Sequence, residues 1–99
     1  MKTPSKIKFN HDRRELFVAG RELALPPAEY AILHALHATG HALTREQLGR
    51  EIGYSSEQIE VSSRTVDQHI SRLRRKMKAH GNAIQTVTGH GYKLAASYL

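Results

Sequence analysis

The most constraining feature of this 99-residue sequence is a narrow apolar stripe between residues 63 and 80. Four apolar residues recur there at spacings of four, three and four: Val66, Ile70, Leu73 and Met77. At about 100° per residue, they share one face of an α-helix. The pattern therefore predicts a helix that begins with Ser63 as its N-cap, ends near His80, and packs this stripe into a core.

The face opposite the apolar stripe is polar and basic: it carries Arg64, Gln68, Ser71, Arg72 and Arg75. A helix about 24 Å long fits the DNA major groove, where Arg binds guanine and Gln binds adenine through two hydrogen bonds each. We therefore predict that Gln68, Ser71 and Arg72 face bases. Cations at the borders of the groove would meet phosphates; Thr65, His69 and Lys76 lie on one flank of the helix, and Arg74 on the other.

The positive charge is concentrated in this part of the chain. The net charge is +6; residues 1–63 contain eight basic and eight acidic side chains, whereas residues 64–99 contain seven basic and one acidic. Solvated helix faces usually mix both signs, but the face described above has no carboxylate, which favours an anionic partner. A membrane surface is disfavoured because the apolar stripe is slim and lacks an aromatic residue.

The residues before this helix predict a sheet and two further helices. Apolar residues alternate as in strands of an antiparallel meander: Ile7 and Phe9, Leu16 and Val18, Leu23 and Leu25. A first helix is expected to begin at Pro26-Pro27, to bury Ile32, Leu33 and Leu36, and to end at Gly40. A second helix is expected to end at Gly53. At its start, Thr44 and Gln47 form a capping box, and Leu43 and Leu48 a hydrophobic staple.

The last residues predict a β-hairpin, with strands at 84–87 and 92–95 joined by the turn 88–91, which contains two glycines. Together with the preceding elements, this makes one α+β domain over residues 1–99. Residues 53–62 are expected to form a loop, and its length suggests a function.

Several function classes are excluded by residue types and spacing. The chain has no cysteine, which removes thiol catalysis, cysteine-based zinc sites and disulfide scaffolds. No apolar run approaches a membrane span or a signal-peptide core, so a cytoplasmic protein is expected. Three histidines, His34, His37 and His41, are close in sequence but lack a positioned fourth ligand, so neither a metal nor a cofactor is predicted. No catalytic triad or phosphate loop is present, and we expect neither an enzyme nor a small-molecule substrate.

Two segments closely resemble the OmpR/PhoB-type winged-helix effector domain of bacterial response regulators: RTVDQHISRLRRK at 64–76 and TVTGHGY at 86–92. The resemblance extends over roughly residues 7–95. It implies a winged helix-turn-helix with a four-stranded N-terminal sheet, a three-helix core and a C-terminal hairpin wing. It also implies that the third helix is the recognition helix, with Gln68 and Arg72 facing bases and with Arg64, His69 and Arg75 near phosphates.

The resemblance further implies the partners and the organisation of the protein. Two copies would bind double-stranded DNA head to tail on a direct repeat, and the 53–62 loop would contact RNA polymerase. The receiver domain that such regulators normally carry is absent from this chain, so no phosphorylation switch is predicted. The expected function is sequence-specific DNA binding in transcription regulation. The alternative is a winged-helix module that binds protein, or binds RNA without sequence specificity.

The sequence departs from the family pattern at two positions within this region. Pro26 stands where the family usually has a Ser or Thr N-cap, so the first helix loses a side-chain cap worth about 1 kcal/mol. Thr88 stands in the wing where the family often has an Arg that contacts the minor groove. The wing residues that could contact DNA are therefore Thr88 itself, His90 when protonated, and Lys93.

Overall fold

The computed structural model describes residues 6–10, 12–13, 15–53 and 63–99, the last range without the side chain of Ser63. The elements are β1 (Ile7–Asn10), β2 (Glu15–Val18), β3 (Arg21–Glu22), α1 (Pro27–Thr39), β4 (Leu43–Thr44), α2 (Arg45–Gly53), α3 (Ser63–Met77), β5 (Ile84–Val87) and β6 (Gly91–Leu94). This order confirms the predicted α+β architecture of an N-terminal antiparallel sheet, three helices and a C-terminal hairpin.

The N-terminal sheet has three strands in the order β1-β2-β3. For the residues described, the predictions of a four-stranded sheet and of a strand at 23–25 are therefore wrong. The Leu23 amide still donates to the Leu16 carbonyl at 2.8 Å, but residues 23–26 are irregular. Pairing with β2 stops there because Pro26 and Pro27 lack the N–H groups that a strand ladder needs and instead begin α1.

The predicted limits of α1 and α2 are confirmed. Pro26 precedes α1 without a side-chain cap, and Gly40 ends it in the left-handed conformation, with φ of 70°. At the start of α2, the Gln47 side chain accepts from the Thr44 amide at 2.8 Å, and the Thr44 hydroxyl accepts from the Gln47 amide at 3.0 Å. The chain thus enters both helices as its local sequence dictates.

The apolar stripe of α3 is buried along its whole length and forms the centre of the core with α1 and α2. α3 ends at Met77, about three residues before the predicted end, because Lys78 adopts a positive φ of 52° and the chain continues as a 3-10 segment, Lys78–Ala83. Gly81 packs against the end of the helix, where a Cβ would lie 2.6 Å from the Arg74 carbonyl oxygen.

The C-terminal hairpin, residues 84–94, is called the wing below. It belongs to a second sheet in the order β4-β6-β5, so β6 lies between its hairpin partner and the short strand that leads into α2. The turn is shorter than predicted, because Gly91 is the first residue of β6 and pairs with both Val87 and Thr44. A Cβ on Gly91 would overlap the Leu43 carbonyl oxygen. The absence of a side chain there allows β4 to approach the wing.

Candidate nucleic-acid interface

The side of α3 opposite the core is a continuous polar surface, called the reading face below. It consists of five exposed residues: Arg64, Gln68, Ser71, Arg72 and Arg75. The structure therefore brings together the residues that the sequence assigns to base reading and two of those assigned to phosphates. Neither Arg72 nor Arg75 forms an ion pair or a side-chain hydrogen bond with another described residue. Their guanidinium groups are available to a ligand.

One flank of α3 faces α1 and contains a buried carboxylate. Glu29, in the first turn of α1, has a side chain that is only 2% exposed. The Lys76 ammonium donates to its Oε1 at 2.7 Å, and the His69 Nδ1 lies 3.4 Å from its Oε2. A buried carboxylate is costly unless it is paired, so these contacts hold α1 and α3 together. The third residue of this flank, Thr65, is half-buried.

The other flank of α3 is joined to the wing by Arg74. Its Nε and Nη2 donate to the Ile84 carbonyl at 3.1 and 2.8 Å, and Nη2 also donates to the Thr86 hydroxyl at 2.9 Å. The sequence placed Arg74 beside a phosphate strand; in the structure its guanidinium is bound within the protein. Arg74 therefore connects α3 to β5.

A second connection between α3 and the wing is formed around Tyr92 on β6. The Tyr92 hydroxyl donates to Asp67 Oδ1 at 2.6 Å, and Arg45 Nε donates to the same oxygen at 2.8 Å. The guanidinium carbons of Arg45 and Arg74 lie 5.3 and 5.5 Å from the Tyr92 ring centroid, within the range of cation–π attraction. The beginning of α2, the middle of α3 and the wing thus meet at one aromatic ring.

These contacts change the titration of the two acidic groups. Desolvation acts to raise the pKa of Asp67, but the hydrogen bonds from Tyr92 and Arg45 outweigh it, and the pKa is lowered. For Tyr92, burial raises the pKa, and the neighbouring Asp67 carboxylate raises it further. Asp67 is therefore ionised and Tyr92 neutral at physiological pH, the states in which the hydroxyl donates to the carboxylate.

The predicted wing residues are all accessible. Thr88 and His90 are exposed in the turn, and Lys93 is exposed on β6, between the buried side chains of Tyr92 and Leu94. Gly89 adopts a positive φ of 75° at the tip. Most of the 53–62 loop lies outside the described residues, which end at Gly53 and resume at Ser63.

Sequence reasoning missed the partners of Glu29 and the Tyr92 cluster. Lys76 and Glu29 are separated by 47 residues, and Tyr92 and Asp67 by 25, so neither pair belongs to a local pattern. One signal was available: Asp67 is the only acidic residue between positions 64 and 99. A lone carboxylate among seven cations is a candidate for a specific ion pair.

Two of the three histidines considered as metal ligands, His34 and His37, pack against an aromatic ring. The Phe9 ring centroid lies 5.2 Å from those of His34 and His37. Burial lowers the pKa of His37, and the nearby His34 lowers it further. In the part of the chain that the structure describes, no three potential metal ligands are grouped. No helix in that part is both long and apolar enough for a transmembrane segment.

Comparison with known proteins places this geometry beside DNA-binding regulators. The sequence profile described as "Transcriptional regulatory protein, C terminal" matches residues 20–94. The heme response regulator HssR of Staphylococcus aureus is 38% identical over an alignment of 96 residues, and the match covers 93% of this chain and 42% of HssR. The chain thus spans less than half the length of this relative.

Solved structures show the same fold. The DNA-binding domain of the response regulator AdeR, in complex with an intercistronic region, is 28% identical, with a TM-score of 0.78 over 94% of this chain and 97% of that one. The Klebsiella pneumoniae RstA DNA-binding domain, in complex with the RstA box, is 26% identical, with a TM-score of 0.74 over 95% of each chain.

Proposed function

The chain belongs to the family of transcriptional regulatory protein C-terminal domains, the OmpR/PhoB-type winged-helix domains, and from this premise we propose that it binds double-stranded DNA sequence-specifically as the effector part of a two-component response regulator. The observation that carries the proposal is the reading face, where exposed arginines and a glutamine project together without a carboxylate among them. Such a face can form both base contacts and phosphate contacts.

In this proposal α3 lies in the major groove. Gln68, Ser71 and Arg72 contact base edges, and Arg64 and Arg75 contact phosphates, with Thr65 at the border of the groove. AdeR and RstA, each bound to DNA, support this mode because they share the fold over nearly the whole chain. The wing residues Thr88, His90 and Lys93 lie along the backbone or the minor groove.

Two finer points of the proposal concern assembly. Two copies bind head to tail on a direct repeat, because one short helix reads too few bases to define a unique site. The loop between α2 and α3 contacts RNA polymerase. A footprint confined to a single half-site at saturating protein would contradict the first point.

The proposal is tested with duplexes that the wild-type protein selects from a randomised library, titrated at several salt concentrations. We expect log K to fall linearly with log salt, with a slope of about 0.9 per phosphate contact. Arg72→Ala is expected to cost about 1–3 kcal/mol and to relax the preference at one base position. Arg75→Ala is expected to weaken binding to all sequences equally.

The matched control is Lys8→Ala, which removes an exposed cation from β1, outside α3 and the wing. Equal and sequence-independent losses for Arg72→Ala and Arg75→Ala would contradict base reading by this helix. Binding that selects no sequence, or that prefers single-stranded RNA, would favour the alternative of a winged-helix module with another partner.

A further inference from the structure

We propose that Glu29 sets the strength and the salt dependence of DNA binding, because it keeps Lys76 on the flank of α3 from binding a phosphate and so limits the sequence-independent part of the affinity. The inference rests on the proposed function and names a residue outside the reading face. Glu29 lies on α1, beneath the flank that contains His69 and Lys76.

Lys76 hydrogen-bonds one oxygen of the carboxylate, and His69 lies near the other oxygen without a hydrogen bond. Oε1 accepts from the Lys76 ammonium at 2.7 Å, and Oε2 lies 3.4 Å from the His69 Nδ1. The Glu29 side chain is 2% exposed, whereas those of His69 and Lys76 are 17% and 37% exposed. The Lys76 ammonium therefore contacts a carboxylate that is shielded from solvent, where the attraction between the two charges is strong.

A lysine held by a carboxylate adds little to the attraction for DNA. Salt-dependent affinity arises because cations of the protein neutralise phosphates and release their counterions. Lys76 is already neutralised by Glu29, and moving it to a phosphate would leave the buried carboxylate without its closest partner. The flank thus has the residue types of a phosphate-binding site, but the Lys76–Glu29 pair has no net charge.

The reading face is not restrained in this way. Arg72 and Arg75 make no ion pair within the described part of the chain, so their charge remains available. Neutralising the flank lowers the phosphate contribution, which all sequences share, and leaves the base contacts, which distinguish sequences. Glu29 therefore weakens the binding of every sequence by the same factor, and the ratio of specific to non-specific affinity does not depend on it.

The central experiment compares wild type with Glu29→Gln, which keeps the shape of the side chain and removes its charge. Binding is measured on a library-selected duplex and on a scrambled duplex over a range of salt. We expect the slope of log K against log salt to steepen by about 0.9 on both duplexes, as Lys76 becomes free for one phosphate. That change corresponds to about an eightfold difference in affinity per tenfold change in salt. We expect the specific-to-scrambled ratio to stay unchanged, because the same phosphate contact forms on both duplexes.

A second variant, Lys76→Met, probes the same pair from the opposite side and remains informative if Glu29→Gln does not fold. We expect it to leave the salt slope unchanged, because the lysine contacts no phosphate in the wild type. The matched control is Arg75→Met, on the exposed face of the same helix, which is expected to reduce the slope by about 0.9. Thermal unfolding of each variant identifies the temperature range in which all of them are folded.

The outcomes separate this inference from the proposed function. A reduced slope for Lys76→Met, or an unchanged slope for Glu29→Gln in its folded range, would overturn the role of Glu29. The latter result would mean that the pair serves only the packing of α1 against α3. A wild-type protein that shows no preference for any duplex would instead overturn the proposed function.

Discussion

Replacing Gly91 with alanine tests how the wing is attached to the helical core. Gly91 does not have a positive φ, so alanine is not disfavoured there by backbone conformation. The new Cβ would overlap the Leu43 carbonyl oxygen and lie 2.9 Å from the Leu43 carbonyl carbon and the Thr44 Cα, well inside ordinary contact of about 3.5–4.0 Å. Because these are backbone atoms, no side-chain rotation can relieve the overlap. β4 must therefore move away from β6.

The expected cost follows from what β4 holds in place. Overpacking costs about 1–3 kcal/mol, a lost strand hydrogen bond about 1 kcal/mol, and disturbance of the Thr44 cap of α2 about 1 kcal/mol. These terms overlap, and we expect a total of about 3 kcal/mol. For a domain of this size, that corresponds to a fall in Tm of about 12–24 °C. Thermal and urea unfolding followed by circular dichroism measure it.

Gly89→Ala is the matched control in the same hairpin. Position 89 has open space around it but a φ of 75°, so the only cost is that of the left-handed conformation, about 1 kcal/mol. Gly91→Ala must therefore destabilise the protein clearly more than Gly89→Ala does. Equal losses, or a larger loss for Gly89→Ala, would refute the view that the close approach of β4 holds the wing.

Three further predictions concern pH and the wing. The pKa of Asp67 is lower in the folded protein than its unfolded value of about 3.9, so the ionised carboxylate stabilises the fold above that pH, and this stability is lost as pH falls through the folded pKa. Asp67→Asn should therefore reduce the loss of stability on acidification. An unchanged loss would show that the carboxylate is unimportant. Because the pKa of His37 is lowered in the folded protein, the unfolded state binds the proton more readily, and stability should fall as pH drops through about 6.5. The fall should be smaller in His37→Gln. Urea unfolding of wild type and variant at pH 7.5 and 5.5 measures it, and an equal pH dependence of the two proteins would contradict the lowered pKa. Thr88→Arg should tighten binding to sites with A·T-rich flanks and steepen the salt slope by about one contact; unchanged affinity on flank-swapped duplexes would argue against a wing in the minor groove.

The sequence predicted those parts of the fold that are determined by residues close together along the chain. The stripe of α3 repeats within 12 residues, and the capping box of α2 spans four, so each pattern contains its own structural information. The strand predicted at 23–25 failed because an alternation of two leucines resembles a strand, although the prolines that follow already direct the chain into α1. The end of α3 at Met77 depends on the backbone conformation of Lys78 and the packing of Gly81. The periodicity of apolar residues contains no information about either feature.

The same distinction between local and long-range features applies to the candidate site. Helical geometry alone predicted which residues share the reading face, and the structure exposes all five of them. Geometry on one helix could not predict what the flanks meet, because Glu29 and Ile84 belong to other elements. A basic side chain beside a groove and a basic side chain above a buried carboxylate have the same sequence signature; only tertiary structure distinguishes them.

The contacts of Arg74 and Tyr92 also determine when the wing loses its conformational freedom. A two-stranded hairpin alone is at best marginally ordered in water. Here β4 extends it to a three-stranded sheet, while Arg74 and the Asp67–Tyr92 hydrogen bond fasten it to α3. The entropy of ordering the hairpin is therefore lost during folding and not on association. A partner that touches α3 and the wing together meets one preorganised surface, and the free energy of its contacts appears as affinity.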